Sequence, residues 1–219
     1  MTPPEVPPPP ETPPPPEEVA HKSAAVEVFD AAGDCVTPYI DDVAKLRIAV
    51  FREWPYLYDG DMAYEREYLA ALTRSAGSVT VLARVDGRIV GASTAMPMTD
   101  EHGGFKQPFA EAGIDTAEVF YLAESVLLPA YRGLGIGHQF FDHREAHGRR
   151  LGGFKWFAFC AVDRAASDPR RPASHRELDA FWRRRGYYKR PDLRCSFPWR
   201  EVDQTEETLN TLTFWLKRV

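Results

Sequence analysis

Cysteine is scarce in this chain, and so is any long apolar run. The three cysteines, Cys35, Cys160 and Cys195, are too scattered for a disulfide framework and form no CxxC pair, so a reducing, cytoplasmic setting is expected. No hydrophobic stretch approaches the roughly 20 residues of a membrane-spanning helix, so no membrane partner is expected. Positive charge is also short, with 27 Lys and Arg against 32 Asp and Glu, a net charge of -5. Nucleic-acid binders usually carry a basic face, so that class is set aside; a cationic or amine-bearing small molecule fits better. No Gly-Lys-Ser/Thr occurs, which excludes a P-loop. His143 and His147 stand at i and i+4, but "HREAH" lacks the HExxH order and a third ligand, so no metal is expected.

Proline is unevenly spread. Residues 1–18 hold 10 of the 19 prolines and four glutamates, with no basic n-region and no apolar stretch, so no secretory signal is expected there. Residues 1–23 read as a Pro/Glu-rich, disordered tail that cannot bury enough apolar surface to offset its ordering entropy. It is either a ligand for a proline-recognising partner or a spacer. Residues 24–219 read as one globular domain, with 44% of the chain hydrophobic and no second composition break.

Within that domain "AAVEVFD" alternates at the strand period. Ile40, Val43, Leu46, Val50 and Phe51 mark one buried helix face, which Trp54-Pro55 ends. "DMAYEREYLAALTRS" predicts a second helix with an Asp at its start. Asp86-Gly87 between two strand-like runs predicts a hairpin with a type I′ turn. Residues 100–116 read as a loop with a short helix around Phe109. "EVFYLAESVLLP" then predicts a central strand covered on both faces, interrupted only by Glu124 and Ser125. A helix to about Leu151, a strand in "FKWFAFCAV", a helix in "SHRELDAFWRRRGYY" closing at Gly186, and strands near Arg194–Trp199 and Leu209–Val219 complete the chain. The fold class is α/β, a mixed central β-sheet flanked by helices.

The most informative stretch is "LLPAYRGLGIGHQFF", Leu127–Phe141. Glycines at 133, 135 and 137 permit backbone conformations closed to other residues, so successive N–H groups can face one concavity where a helix begins. The helix's unsatisfied N–H groups and positive dipole end meet there, which suits a phosphate, and Arg132 adds a charge at the rim. The dinucleotide pattern GxGxxG does not fit this GxGxG spacing. Arg-x-x-Gly-x-Gly between a central strand and a helix fits "RGLGIG" without a gap. The alternative is that the glycines merely permit tight packing.

With its flanking "SVLLPAYRG", this element order and the "DAFWRRRGY" segment, the chain resembles the GNAT superfamily of acetyl-CoA-dependent N-acetyltransferases over residues 24–219. "FREWPYLYDGD" and "VDRAASDPRRPASHRELDAFW" are similar to a bacterial subgroup. The resemblance implies a GNAT fold, acetyl-CoA as cosubstrate and no metal. It implies that Arg132, Gly133, Leu134, Gly135, Ile136 and Gly137 hold the coenzyme A pyrophosphate, and that Val126, Leu127 and Leu128 pair with the pantetheine arm through their backbone. His175 falls where the family commonly has an Asn that touches pantetheine; a surface or capping role is the alternative.

An attacking amine must lose a proton, since a lysine-like amine has a pKa of about 10.4. Glu124 is the one ionisable residue of the central strand and the candidate general base, with a structural ion pair as the alternative. A main-chain N–H at Val126 or Leu127 could stabilise the oxyanion. Family members often protonate the leaving thiolate with a Tyr where this chain has Trp182; Tyr187, Tyr188 or water are substitutes. Trp54, Tyr56 and Tyr58 with Asp59, Asp61 and Glu65 suggest a wall for a cationic acceptor, or simply core aromatics beside capping acids. The expected activity is acetyl transfer to a primary amine by direct attack in a ternary complex; a non-catalytic acyl-CoA-binding module is the alternative. A homodimer stays open.

Overall fold

The computed structural model describes residues 25–219. The proline-rich tail expected over residues 1–23 lies outside the described residues. Seven strands and five α-helices follow in the expected order. They are β1 (Glu27–Ala31), α1 (Ile40–Phe51), α2 (Met62–Thr73), β2 (Val79–Val85), β3 (Arg88–Pro97), α3 (Gly103–Glu111) and β4 (Val119–Leu127). The chain continues through α4 (Ile136–Leu151), β5 (Trp156–Val162), α5 (Asp179–Arg184), β6 (Tyr188–Arg200) and β7 (Glu207–Arg218).

The strands form one sheet in the order β1-β2-β3-β4-β5-β7-β6, antiparallel except where β4 meets β5. The hairpin turns at Asp86 and Gly87, with φ of 47° and 78° as a type I′ turn requires. Asp61 caps α2, accepting from the N–H groups of Ala63 and Tyr64 at 3.0 Å each. One face of the sheet packs on α4 through Phe120, Leu122, Phe140 and Phe157. The other packs on α1 and α2 through Val43, Leu46, Leu69 and Val126, and on α3 through Phe109.

Two features of β4 create the site. Its register against β3 passes from Thr94↔Glu124 to Met96↔Tyr121, so β4 carries one extra residue, a bulge. Its parallel pairing with β5 covers only Val119–Tyr121 against Trp156–Ala158, and beyond that the strands part. The expectation that β4 is covered on both faces is therefore corrected at its carboxyl end. Ser125 is exposed and Leu127 and Leu128 only half-buried, because β5 has turned away.

The last third differs from expectation in extent. The helix expected from Ser174 is confined to Asp179–Arg184, with no side-chain cap at its start. The preceding segment instead turns at His175, whose N–H donates to the Pro172 carbonyl at 2.9 Å, and Glu177 accepts from Arg171 at 2.8 Å. Strand β6 begins earlier than expected and bulges between Arg190 and Arg194, where Pro191 can donate no ladder hydrogen bond.

Candidate active site

The turn after β4 is built as the glycine spacing requires. Gly133 and Gly135 have φ of 82° and 83°, and a Cβ on either would meet nothing within 4 Å, so open space lies over both. Gly135 is the N-cap of α4, and neither a side-chain cap nor an acidic residue occupies the first turn. Leu134 is exposed, while Ile136 is buried and anchors the helix in the core. Gly137 faces Phe181 of α5, 3.8 Å from where a Cβ would stand. This arrangement can receive an anion at uncapped N–H groups and the positive helix end. Arg132 spans the turn, donating from Nε to the Leu127 carbonyl at 3.1 Å, and its terminal nitrogen meets Glu53 at 2.9 Å. Its charge is thus shared with the loop after α1.

The gap between β4 and β5 opens directly onto this turn. Val126, Leu127 and Leu128 line its β4 side, leaving an extended backbone that β5 does not cover. The shape suits a long, thin arm lying between the strands, with a charged group at the glycine turn.

Glu124 stands at the bulge. Its carbonyl is fully used, accepting from Ser93 Oγ at 2.8 Å and from Arg144 of α4 at 3.0 Å. Its side chain points to the opposite face, where Oε2 is paired with Arg47 of α1; the side chain is 8% exposed. Oε1 is buried without a hydrogen-bond partner, as is Oγ1 of Thr94, the residue opposite in the ladder. Arg47 is also paired with Glu65 of α2 and stacks over Tyr68 at 4.3 Å.

The aromatic and acidic wall divides. Asp61 is a helix cap, and Asp59 is held between Arg52 at 3.0 Å and Arg200 at 2.6 Å. Glu65 is wholly buried on Arg47. Tyr56 packs on Phe51 and Trp199 with ring centroids 4.6 and 6.1 Å away, and burial raises its phenol pKa above the ordinary value. Burial also raises that of Tyr58, reinforced by Glu65 beside it.

His175 lies outside any helix. Its ring meets Trp54 edge-on at 6.1 Å and Glu177 at 3.7 Å, which sets it against the loop after α1, the loop whose Glu53 pairs with Arg132. Trp182 packs into Phe159 and Trp215 at 5.0 and 5.1 Å. Tyr187 is no ready proton donor: its hydroxyl donates to Glu145 at 3.0 Å, and burial, then that carboxylate, raise its pKa well above the usual phenol value. Arg185 reaches back to α4, 2.5 Å from Asp142. His143 and His147 are engaged separately, with Asp30 at 2.6 Å and the Gly77 carbonyl at 3.2 Å.

Sequence reasoning missed Arg47 and Thr94 and misassigned Glu65. A signal existed for the charged pair: Arg47 sits in the stripe Val43, Arg47, Val50, and Glu65 in the stripe Glu65, Leu69, Leu72, each a charge on an apolar helix face.

No curated protein matches this sequence. Among solved structures, yncA of Salmonella typhimurium, determined with its cofactor acetyl-CoA, aligns at 14% identity and TM-score 0.55 over 89% of this chain and 94% of its own. Ribosomal-protein-alanine N-acetyltransferase from Brucella melitensis aligns at 16% identity and TM-score 0.54, over 88% and 99%. An acetyltransferase from Thermus thermophilus gives 13% and 0.53, over 89% and 97%. Identities this low speak to the fold alone, and the fold agrees. The sequence profile of the acetyltransferase (GNAT) family matches residues 43–171, more than half the chain, from α1 through the glycine turn and beyond β5. This protein belongs to the acetyltransferase (GNAT) family, enzymes that draw their acetyl group from acetyl-CoA.

Proposed function

We propose that the protein transfers acetyl from acetyl-CoA to a primary amine by direct attack in a ternary complex, with Glu124 as general base. One observation carries this reading: Glu124 Oε1 is a buried carboxylate oxygen without a partner, at the bulge where β4 leaves β5. An oxygen in that state gains a hydrogen bond when an ammonium N–H arrives and can then accept its proton.

The donor is held, on this reading, by Arg132–Gly137 at its pyrophosphate, chiefly through backbone N–H groups, and by the Val126–Leu128 backbone along pantetheine. A main-chain N–H at Val126 or Leu127 opposes charge developing on the acetyl oxygen. The sulfur leaves as a thiolate; with a thiol pKa of about 8.5 it needs no strong acid, so Trp182 does not bar turnover.

The second reading, a module that binds acyl-CoA without turnover, draws on Trp182 and on the engagement of Tyr187 with Glu145. Thiol release from acetyl-CoA across a panel of primary amines separates the two. The enzyme reading expects release that depends on the amine and is lost in E124Q; calorimetric binding of CoASH with no release for any amine would refute it.

A further inference from the structure

Arg47 is a buried guanidinium that serves two carboxylates at once. Nε meets Glu65 and a terminal nitrogen meets Glu124 Oε2, with the three side chains 8%, 0% and 8% exposed. It is clamped between Tyr68 and Phe51, whose ring centroids lie 4.3 and 5.2 Å from the guanidinium carbon. Such a group cannot swing between partners, and it holds one oxygen of each carboxylate it touches. For Glu124 the consequence is asymmetry: Oε2 is taken, while Oε1 has no hydrogen-bond partner, nor has the hydroxyl of Thr94, the residue opposite in the ladder.

We propose that Arg47 is a positioning residue: by holding Oε2 it aims Oε1 of Glu124 at the incoming amine without itself touching substrate. Glu65 is the counterweight. It neutralises part of the Arg47 charge that faces Glu124. This rests on Glu124 being the general base. Arg47 from α1 meets the Glu124 carboxylate and Arg144 from α4 its carbonyl; the titratable groups facing Arg47 in turn are Glu65 and Tyr68 from α2, Glu101 after β3, and Tyr56 and Tyr58 from the loop after α1.

Two measurements test it. In protein labelled with 13C-glutamate, the side-chain carboxyl signal of Glu124 is the one E124Q removes. Its titration midpoint is expected to move down by about one pH unit in E65Q, where a whole positive charge faces Glu124, and up by a similar amount in R47M. Because R47M strands Glu65, the R47M/E65M double variant repeats the upward shift in a chain with no orphaned charge. In kinetics with a reactive amine from the panel, R47K is expected to lower kcat about tenfold or more and leave the acetyl-CoA KM unchanged, since one ammonium cannot hold both carboxylates. In an E124Q background R47K should cost nothing further. Equal midpoints in all variants, or the same R47K penalty with and without Glu124, would overturn the proposal. If no amine reacts, the enzyme reading fails, and the titration still decides whether Arg47 governs Glu124.

Discussion

Glu101 illustrates what burial does to one carboxylate. Oε1 accepts from the His102 N–H at 2.8 Å, Oε2 has no partner, and burial raises the pKa above the usual carboxylate range. An unfolded Glu ionises near about 4.3, so between that value and the raised folded one the native protein keeps a proton the unfolded chain has lost. Stability therefore falls as pH rises through this window and does not return above it. Glutamine can accept the same His102 hydrogen bond and never ionises. The stability of E101Q relative to wild type is accordingly expected to rise as pH increases from about 4.3 through the raised folded-state pKa and then to level off, as followed by chemical denaturation midpoints. A difference that stays constant with pH would contradict burial as the cause. Single residues were unequally readable from sequence. Glu124 stands out because its strand neighbours are apolar, but its partner Arg47 is distant in sequence, and a periodicity argument treats a charge in an apolar stripe as noise.

At the scale of elements, the turn from β4 to α4 was written most clearly, because each backbone demand there selects a residue type. Gly135 at φ 83° makes the claim measurable. A methyl group at this position meets nothing within 4 Å, so Gly135→Ala carries a conformational cost alone, about 1 kcal/mol. The turn is expected to relax toward a right-handed conformation and misalign its N–H groups, weakening CoASH binding several-fold by calorimetry. Lost stability with unchanged affinity would mean that the turn only packs. The hairpin at Asp86-Gly87, the cap at Asp61 and the span of α4 were legible for the same local reason. Helix α5 and strand β6 were not. Residues 174–178 carry a helix-like composition, yet their side chains engage the preceding turn and the loop after α1, through Arg171 with Glu177 and Trp54 with His175. The strand expected near Arg194–Trp199 starts already at Tyr188, because an edge strand can tolerate a proline and charges that a central strand cannot.

On the whole-molecule scale the parting of β4 and β5 divides the sheet into β1–β4 and β5–β7–β6, joined by three residue pairs at the closed end. The loop after α1 closes the open end. Arg164, just past β5, donates to the carbonyls of Pro55 at 2.7 Å and Tyr56 at 3.1 Å and pairs with Glu201 at 2.6 Å. Trp199 of β6 donates its indole N–H to the Tyr56 carbonyl at 3.1 Å, and Asp59 donates its N–H to the Arg200 carbonyl at 2.9 Å. This clasp joins the α1–α2 side to the β5–β6 side, so it sets the width of the gap on the face where Glu124 meets Arg47. Arg164→Ala leaves the Pro55 carbonyl unpaired, the Tyr56 carbonyl with Trp199 alone and Glu201 dependent on Arg170 alone. The expected cost is about 2–4 kcal/mol of stability. A wider mouth should raise the acceptor KM several-fold while the acetyl-CoA KM holds within about twofold, because the glycine turn is anchored separately by α4. Trp199→Phe removes one hydrogen bond and keeps the ring contact with Tyr56, so its effect should run in the same direction at about 1 kcal/mol. If R164A instead weakens acetyl-CoA and acceptor equally, the clasp supports the fold as a whole and does not shape the acceptor side.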